Sequence, residues 1–246
     1  MSDFVQSLER GLAVIRAFDA ENPELTLSDV ARIAGLTRAA ARRFLITLVE
    51  LGYVRTDGKL FALRPKVLEL GFSYLSSLGL PDVAGPHLEK LAAEVHESCS
   101  VSVLDGTEIV YVARVPTKRI MKVMIEIGTR FPAHAASMGR VMLAAHSDAW
   151  LDDYLRRTPL TAMTDRTITD PAEFKAELIR IRTQGWAMVD EELEKGLRSI
   201  AVPIKGKILA AVNISTHVSR SLESTHTELL PALLNTAAAI AADLPS

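Results

Sequence analysis

Cysteine is almost absent from this 246-residue chain, where Cys99 stands alone. No intramolecular disulfide can form, and the usage fits a reducing, cytoplasmic compartment. No apolar run reaches the roughly 20 residues that cross a bilayer, which argues against a membrane protein. The Met1-Ser2-Asp3-Phe4 start lacks the charged and apolar regions of a signal peptide. An excess of one charge is missing too. The net charge is −2, so nucleic-acid binding cannot rest on bulk basicity and needs a local patch. The phosphate loop Gly-x-x-x-x-Gly-Lys-Ser/Thr, the fingerprint Gly-x-Gly-x-x-Gly, internal repeats and low-complexity tracts are all lacking. No cofactor is expected.

What is present begins with a DNA reader over residues 26–63. Leu27 to Gly35 reads as a short amphipathic helix ending at a glycine, with Thr26 or Ser28 able to cap it and Gly35 suited to the tight corner. Thr37 caps the next helix, which runs to Glu50 with Ala41, Phe44 or Leu45, Leu48 and Leu51 as its apolar stripe. Arg38, Ala39, Arg42 and Arg43 lie away from that stripe. Arginine can clamp a guanine edge, a small residue admits a thymine methyl, and some arginines will hold only phosphate. Residues 52–63 form a hairpin around Asp57-Gly58, placing Arg55 and Lys59 on a wing near phosphate or minor groove. A support helix within residues 4–18 precedes the reader. Helix, tight turn, basic helix and hairpin together predict a winged helix-turn-helix.

Residues 65–78 read as a linker helix with too much apolar surface to stand alone, and residues 82–97 as another helix. Paired half-sites on DNA then call for a homodimer or a tetramer. Beyond His96 the pattern changes. Strands are expected at 100–104, 108–115 and 119–127, helices at 136–145, 149–157 and 171–184. Further strands follow at 186–190, 199–204 and 208–215, and a final helix at 222–244. This order indicates an α+β domain on one antiparallel sheet, with one face free to form a pocket. The expected division is 1–64 for the reader, 65–80 for the linker and 81–246 for the effector-binding domain.

Four stretches, together with the wing, carry a family resemblance over essentially the whole chain. They are Ser7-Leu8-Glu9-Arg10-Gly11-Leu12, Gly35-Leu36-Thr37-Arg38-Ala39-Ala40-Ala41-Arg42-Arg43-Phe44-Leu45, and, in the second half, two motifs. The latter are Pro132-Ala133-His134-Ala135-Ala136-Ser137-Met138-Gly139-Arg140 after Gly128-Thr129-Arg130, and Gly196-Leu197-Arg198-Ser199-Ile200-Ala201-Val202-Pro203. The chain resembles IclR-family transcriptional regulators, and is similar to their PcaR/PcaU/PobR branch. The resemblance implies a winged helix followed by a GAF-like effector domain, in a dimer or a dimer of dimers on operator DNA. It also implies an effector of the kind that branch senses: protocatechuate, 4-hydroxybenzoate or β-ketoadipate.

Mapped through that resemblance, the effector site uses Ser137, Met138 and Gly139 at a helix start, whose free N–H groups and dipole suit a carboxylate. Asp190, Ser199, Asn213 and Ser215 form the facing wall. Asp190 or Asn213 would accept a bond from a phenolic hydroxyl, and Ser199 or Ser215 suits either end. Met121, Val123 and Ile125 supply apolar walls. Arg198 alternates with Ser199 and so faces away from the site. Ser137 and Met138 replace smaller residues of the glyoxylate/pyruvate responder, which argues against a two- or three-carbon acid.

Other classes fare worse. Ser137, His134 and Asp190 could be drawn as a hydrolytic triad, but no Gly-x-Ser-x-Gly elbow surrounds Ser137, so an enzyme is not expected. A ligand-binding protein with a degenerate reader would have lost the basic residues of the recognition helix. His87, His96 and Cys99 suggest a metal site, yet a fourth ligand has no source, and none is expected. An IclR-type regulator of a small aliphatic acid remains the alternative.

Overall fold

In the computed structural model, which describes residues 3–117, 125–206 and 209–244, the chain divides into two units, Met1–Tyr74 and Leu75–Ser246. The first contains α1 (Gln6–Ile15), β1 (Leu25–Thr26), α2 (Leu27–Ile33), α3 (Arg38–Glu50), β2 (Val54–Thr56) and β3 (Leu60–Leu63). Thr26, not Ser28, caps α2 in a reciprocal box with Asp29. At its end Leu36 N–H donates to Ala31 carbonyl and Gly35 N–H to Arg32 carbonyl. That double closure needs a left-handed residue, and Gly35 supplies it at φ 65°. Asp57 turns the wing by accepting from Lys59 and Leu60 amides at 2.8 and 2.7 Å. β1 pairs with β3 and makes the wing a three-stranded sheet, a strand too short to show in the sequence pattern.

The core of this unit gathers Val14, Val30, Ala41, Leu45 and Leu48. Leu51, expected in that stripe, is 53% exposed. It follows the last turn of α3, where the chain has already left the core. Pro65–Val67 is a 3₁₀ turn leading into α4 (Leu68–Leu78), whose Leu68, Leu70, Phe72 and Tyr74 are exposed.

In the second unit, α5 (Leu80–Val95) starts two residues before its expected place because Pro81 is tolerated in a first turn. There follow β4 (Ser98–Asp105), β5 (Glu108–Val115), β6 (Arg130–Pro132), α6 (Ser137–Ala144), α7 (Asp148–Arg157) and α8 (Pro171–Gln184). The chain then adds β7 (Ala187–Asp190), β8 (Leu197–Ile204), β9 (Ala210–His217), α9 (Leu222–Ser224) and α10 (Leu230–Asp243), with a π-helical turn at Thr225–Leu229. The strand expected at 119–127 falls partly outside the described residues, and its described part, 125–127, is not strand. Gly128 turns the chain instead, and the edge strand is β6, paired with β5.

All neighbours in the six-stranded sheet are antiparallel, in the order β6-β5-β4-β9-β8-β7. Its two faces bury different cores. α5 and α10 cover an apolar stretch of one face, formed by Val101, Val103, Val112, Ile200, Val202, Val212 and Ile214. The opposite face meets α6, with Met138, Val141, Met142, Ile109 and Tyr111 between them.

Candidate functional site

Beneath α6 the sheet face is polar and buried. β4 alternates Ser98, Cys99, Ser100, Val101, Ser102, and the three serines are at most 1% exposed. Alternation in a half-solvated sheet points polar residues at water; here they point inward. Register carries the row onward. Ser98 lies opposite Ser215 and Ser100 opposite Asn213, while Ser215 lies opposite Ser199 on the next strand. The Asn213 amide donates to Ser215 Oγ at 3.1 Å, and Asn213 Oδ1 is buried with no partner among the described residues. A buried acceptor left open costs about 1–3 kcal/mol, which a bound hydroxyl or water would recover.

α6 closes over this floor. Ser137 Oγ meets Ser199 Oγ at 2.9 Å, and Ser102 donates to Met138 Sδ at 3.2 Å. All eight residues of α6 are buried, and no side chain caps its start. Gly139 abuts the preceding 3₁₀ turn, where a Cβ would fall 2.1 Å from the Ala133 carbonyl oxygen. Arg140 is 1% exposed and forked onto Glu192, with Nε also donating to His134 carbonyl at 2.7 Å and the guanidinium over the Phe174 ring. It braces α6 rather than facing the polar floor.

Ser137, Met138, Ser199, Asn213 and Ser215 are therefore brought together. Ile125 is buried in the same cluster as Met138 and Tyr111; Met121 and Val123 lie outside the described residues. Asp190 is a correction. It stands opposite Arg198 in register, and Arg198 alternates with Ser199, so Asp190 belongs to the other face of the sheet. Its carboxylate accepts from Arg198 Nε at 2.8 Å, and Arg198 also holds the Arg220 carbonyl. No relay joins Ser137, His134 and Asp190 either, since His134 Nε2 bonds the Thr161 carbonyl at 2.9 Å. Burial lowers the His134 pKa from its ordinary value.

One residue of this face escaped the sequence reading. Arg114 lies opposite Ser100 and donates to its Oγ at 3.1 Å. A β-bulge at Val112 puts it there. Ser102 pairs with Tyr111 but Val101 pairs with Ala113, so the phase of β5 slips by one and Arg114 turns onto the polar face. Arg114 is half-buried, burial lowers its pKa, and it makes no ion pair among the described residues. No Asp or Glu occurs in 118–124 either.

In the first unit, Thr37 Oγ accepts from Ala40 N–H at 3.2 Å and starts α3. Arg38, Ala39, Arg42 and Arg43 are exposed on it, and the three arginines make no ion pair among the described residues. Arg55 is exposed on the wing but holds Glu24 at 2.8 Å, so a phosphate would have to displace that carboxylate. Lys59 is exposed at the wing tip. No group of three or more His, Cys, Asp or Glu able to hold a metal occurs among the described residues. Nor is any described helix long and apolar enough to cross a membrane.

Two family models match this arrangement. Residues 7–58 match the IclR helix-turn-helix domain, and residues 72–242 match the bacterial transcriptional regulator IclR C-terminal domain. The chain belongs to the IclR family. It is 46% identical to a Pca regulon regulatory protein of Pseudomonas putida, over 94% of this chain and 81% of that one. It is 37% identical to a p-hydroxybenzoate hydroxylase transcriptional activator of Acinetobacter baylyi, over 96% of this chain and 90% of the relative. A crystal structure of an IclR homologue from Microbacterium hydrocarbonoxydans, complexed with 4-hydroxybenzoate, superposes with a TM-score of 0.85 at 26% identity. That match covers 97% of this chain and 98% of the other. As an IclR-family member, the chain is a transcriptional regulator with a helix-turn-helix domain for DNA.

Proposed function

We propose that this regulator senses a hydroxylated aromatic acid in the buried polar site beneath α6 and adjusts transcription of genes for its degradation. The observation that carries the proposal is the inward-facing polar row. Ser98, Ser100, Ser102, Asn213, Ser215 and Ser199 form a hydrogen-bonding floor, with Ser137 bonded to it from α6 and Asn213 Oδ1 still open. A floor of hydroxyls and an amide under apolar walls from Met138, Ile125 and Tyr111 suits a ring with polar substituents. Similarity to an activator named for p-hydroxybenzoate hydroxylase, and to a homologue carrying 4-hydroxybenzoate, supports the same class.

In this reading Ser137, Met138, Ser199, Asn213 and Ser215 contact the effector, and Gly139 lets α6 pack closely over it. Thr37 sets the start of the recognition helix. Arg38, Ala39, Arg42 and Arg43 enter the major groove, and Lys59 with Arg55 reaches the backbone. Exposed Leu68, Leu70, Phe72 and Tyr74 on α4 are covered by a second copy of the chain, so the working unit is a homodimer or tetramer. An effector that binds one arrangement of the paired readers better than the other shifts their equilibrium by that difference alone.

The test is a thermal-shift screen of the full chain with protocatechuate, 4-hydroxybenzoate, β-ketoadipate, pyruvate and glyoxylate. A ligand of the folded state raises the melting temperature with the logarithm of its saturation. A rise confined to hydroxylated aromatic acids is the expected result. A rise confined to the short aliphatic acids would overturn the aromatic reading.

A further inference from the structure

Of the arginines packed into the second unit near the polar floor, two are already matched. Arg140 is forked onto Glu192, and Arg198 is paired with Asp190 through its Nε. Arg114 is different: it is half-buried, aimed by a bulge onto the pocket face, and bonded only to the neutral Ser100 hydroxyl among the described residues. A guanidinium stays charged in a protein, so its planar fork offers several N–H donors with no anion to receive them. Its neighbour across β4 is Asn213, whose open Oδ1 faces the same space. A full positive charge and a pair of mutually bonded hydroxyls thus stand at opposite ends of one floor. From Ser100 on β4 to Ser199 on β8 the path crosses two inter-strand steps and a two-residue offset, about 12 Å between Cα positions. Side chains closing in from both ends leave room for a single ring.

Resting on the reading above, we infer that Arg114 anchors the effector's carboxylate and that the Ser137–Ser199 pair receives a hydroxyl at the far end of the same ring. This reverses the orientation expected from the helix start. The first turn of α6 offers about half a unit of positive charge, whereas Arg114 offers a whole one in a bidentate fork. Hydroxyls that already share one hydrogen bond, as Ser137 and Ser199 do at 2.9 Å, can donate to or accept from a third hydroxyl without leaving an unmatched charge.

Calorimetric titration of the full-length protein with 4-hydroxybenzoate, 4-hydroxybenzamide and benzoate tests this. Wild type is expected to prefer the acid over the neutral amide by roughly a hundredfold, as for a buried charge-assisted contact. In Arg114→Gln that preference should collapse to within a few-fold, while the advantage of 4-hydroxybenzoate over benzoate survives. Ser199→Ala should do the opposite. An acid-to-amide preference undiminished in Arg114→Gln would overturn the anchor and leave the aromatic-acid reading intact. No binding of any of the three by wild type would overturn both. Should Arg114→Gln fail to fold, Arg114→Lys decides: a loss of about tenfold in acid affinity, with the preference kept, supports the anchor, and an unchanged affinity refutes it.

Discussion

Replacing Gly139 with alanine sets two physical effects against each other. Within a helix, Gly→Ala ordinarily gains about 1 kcal/mol, because alanine loses less backbone freedom. Gly139 does not adopt positive φ, so its own backbone would accept the change. The surroundings would not. The added Cβ would lie 2.1 Å from the Ala133 carbonyl oxygen and 2.5 Å from Ala133 Cα, both backbone atoms. That turn cannot easily yield. Ala133 N–H is tied to the Thr107 carbonyl at 2.9 Å, the His134 carbonyl is held by Arg140, and the His134 ring is held by Thr161. Either α6 shifts off the sheet or the turn breaks its bonds. Overpacking of this kind costs about 1–3 kcal/mol, and more where backbone must move. The net expectation for Gly139→Ala is a loss of about 2 kcal/mol, or a fall of about 4–8 °C in melting temperature for a unit of this size. Urea unfolding of the full chain, followed by the fluorescence of Trp150 and Trp186, reads it. Because both tryptophans belong to the second unit, the signal reports that unit's transition. A stabilised variant would show that α6 does not pack on the turn as described, and the geometry of the pocket roof would go with it.

Other outcomes are expected. Arg42→Ala should weaken operator binding and reduce the salt slope by about one counterion, with effector affinity unchanged, in fluorescence-anisotropy titrations at several salt concentrations. Glu192→Ala strands the buried Arg140 charge and should cost about 3–5 kcal/mol in urea unfolding, while Arg140→Met with Glu192→Leu should recover much of it. Burial lowers the pKa of His134 and of His146 below the ordinary 6.5. The unfolded chain therefore binds these protons first. Their contribution to stability is full above pH 6.5 and is lost as pH falls towards the lowered folded values, so His134→Gln should flatten the acid side of the stability profile.

The reader was legible in the sequence because each of its parts is a local rule. Thr26 and Thr37 cap, Gly35 takes the left-handed corner, Asp57-Gly58 turns the wing, and Arg38, Arg42 and Arg43 stay off the Ala41–Leu45–Leu48 stripe. The helices of the second unit were readable for the same reason, α8 to the residue. What escaped depends on pairing. β1 has two residues and exists only because β3 lies beside it. Asp190 looked like a pocket residue until its register with Arg198 placed it on the other face. Arg114 was hidden by the bulge, since uninterrupted alternation from Ile109 and Tyr111 would turn Ala113 inward and Arg114 out. The Ser98-Cys99-Ser100-Val101-Ser102 alternation was a visible signal, but only burial on both faces of the sheet reveals that its polar side is the inner one.

The central claim is that the polar floor beneath α6 is where the effector binds. The most direct measurement is calorimetric titration of 4-hydroxybenzoate into the full-length protein and its Ser199→Leu and Arg42→Ala variants, each first checked for a native melting transition. A leucine at Ser199 would fill the space beside Ser137 and remove the hydroxyl pair, so affinity should fall at least tenfold, about 1.4 kcal/mol. Arg42→Ala should bind as wild type does. Undiminished binding by a folded Ser199→Leu protein would contradict the account and move the effector elsewhere.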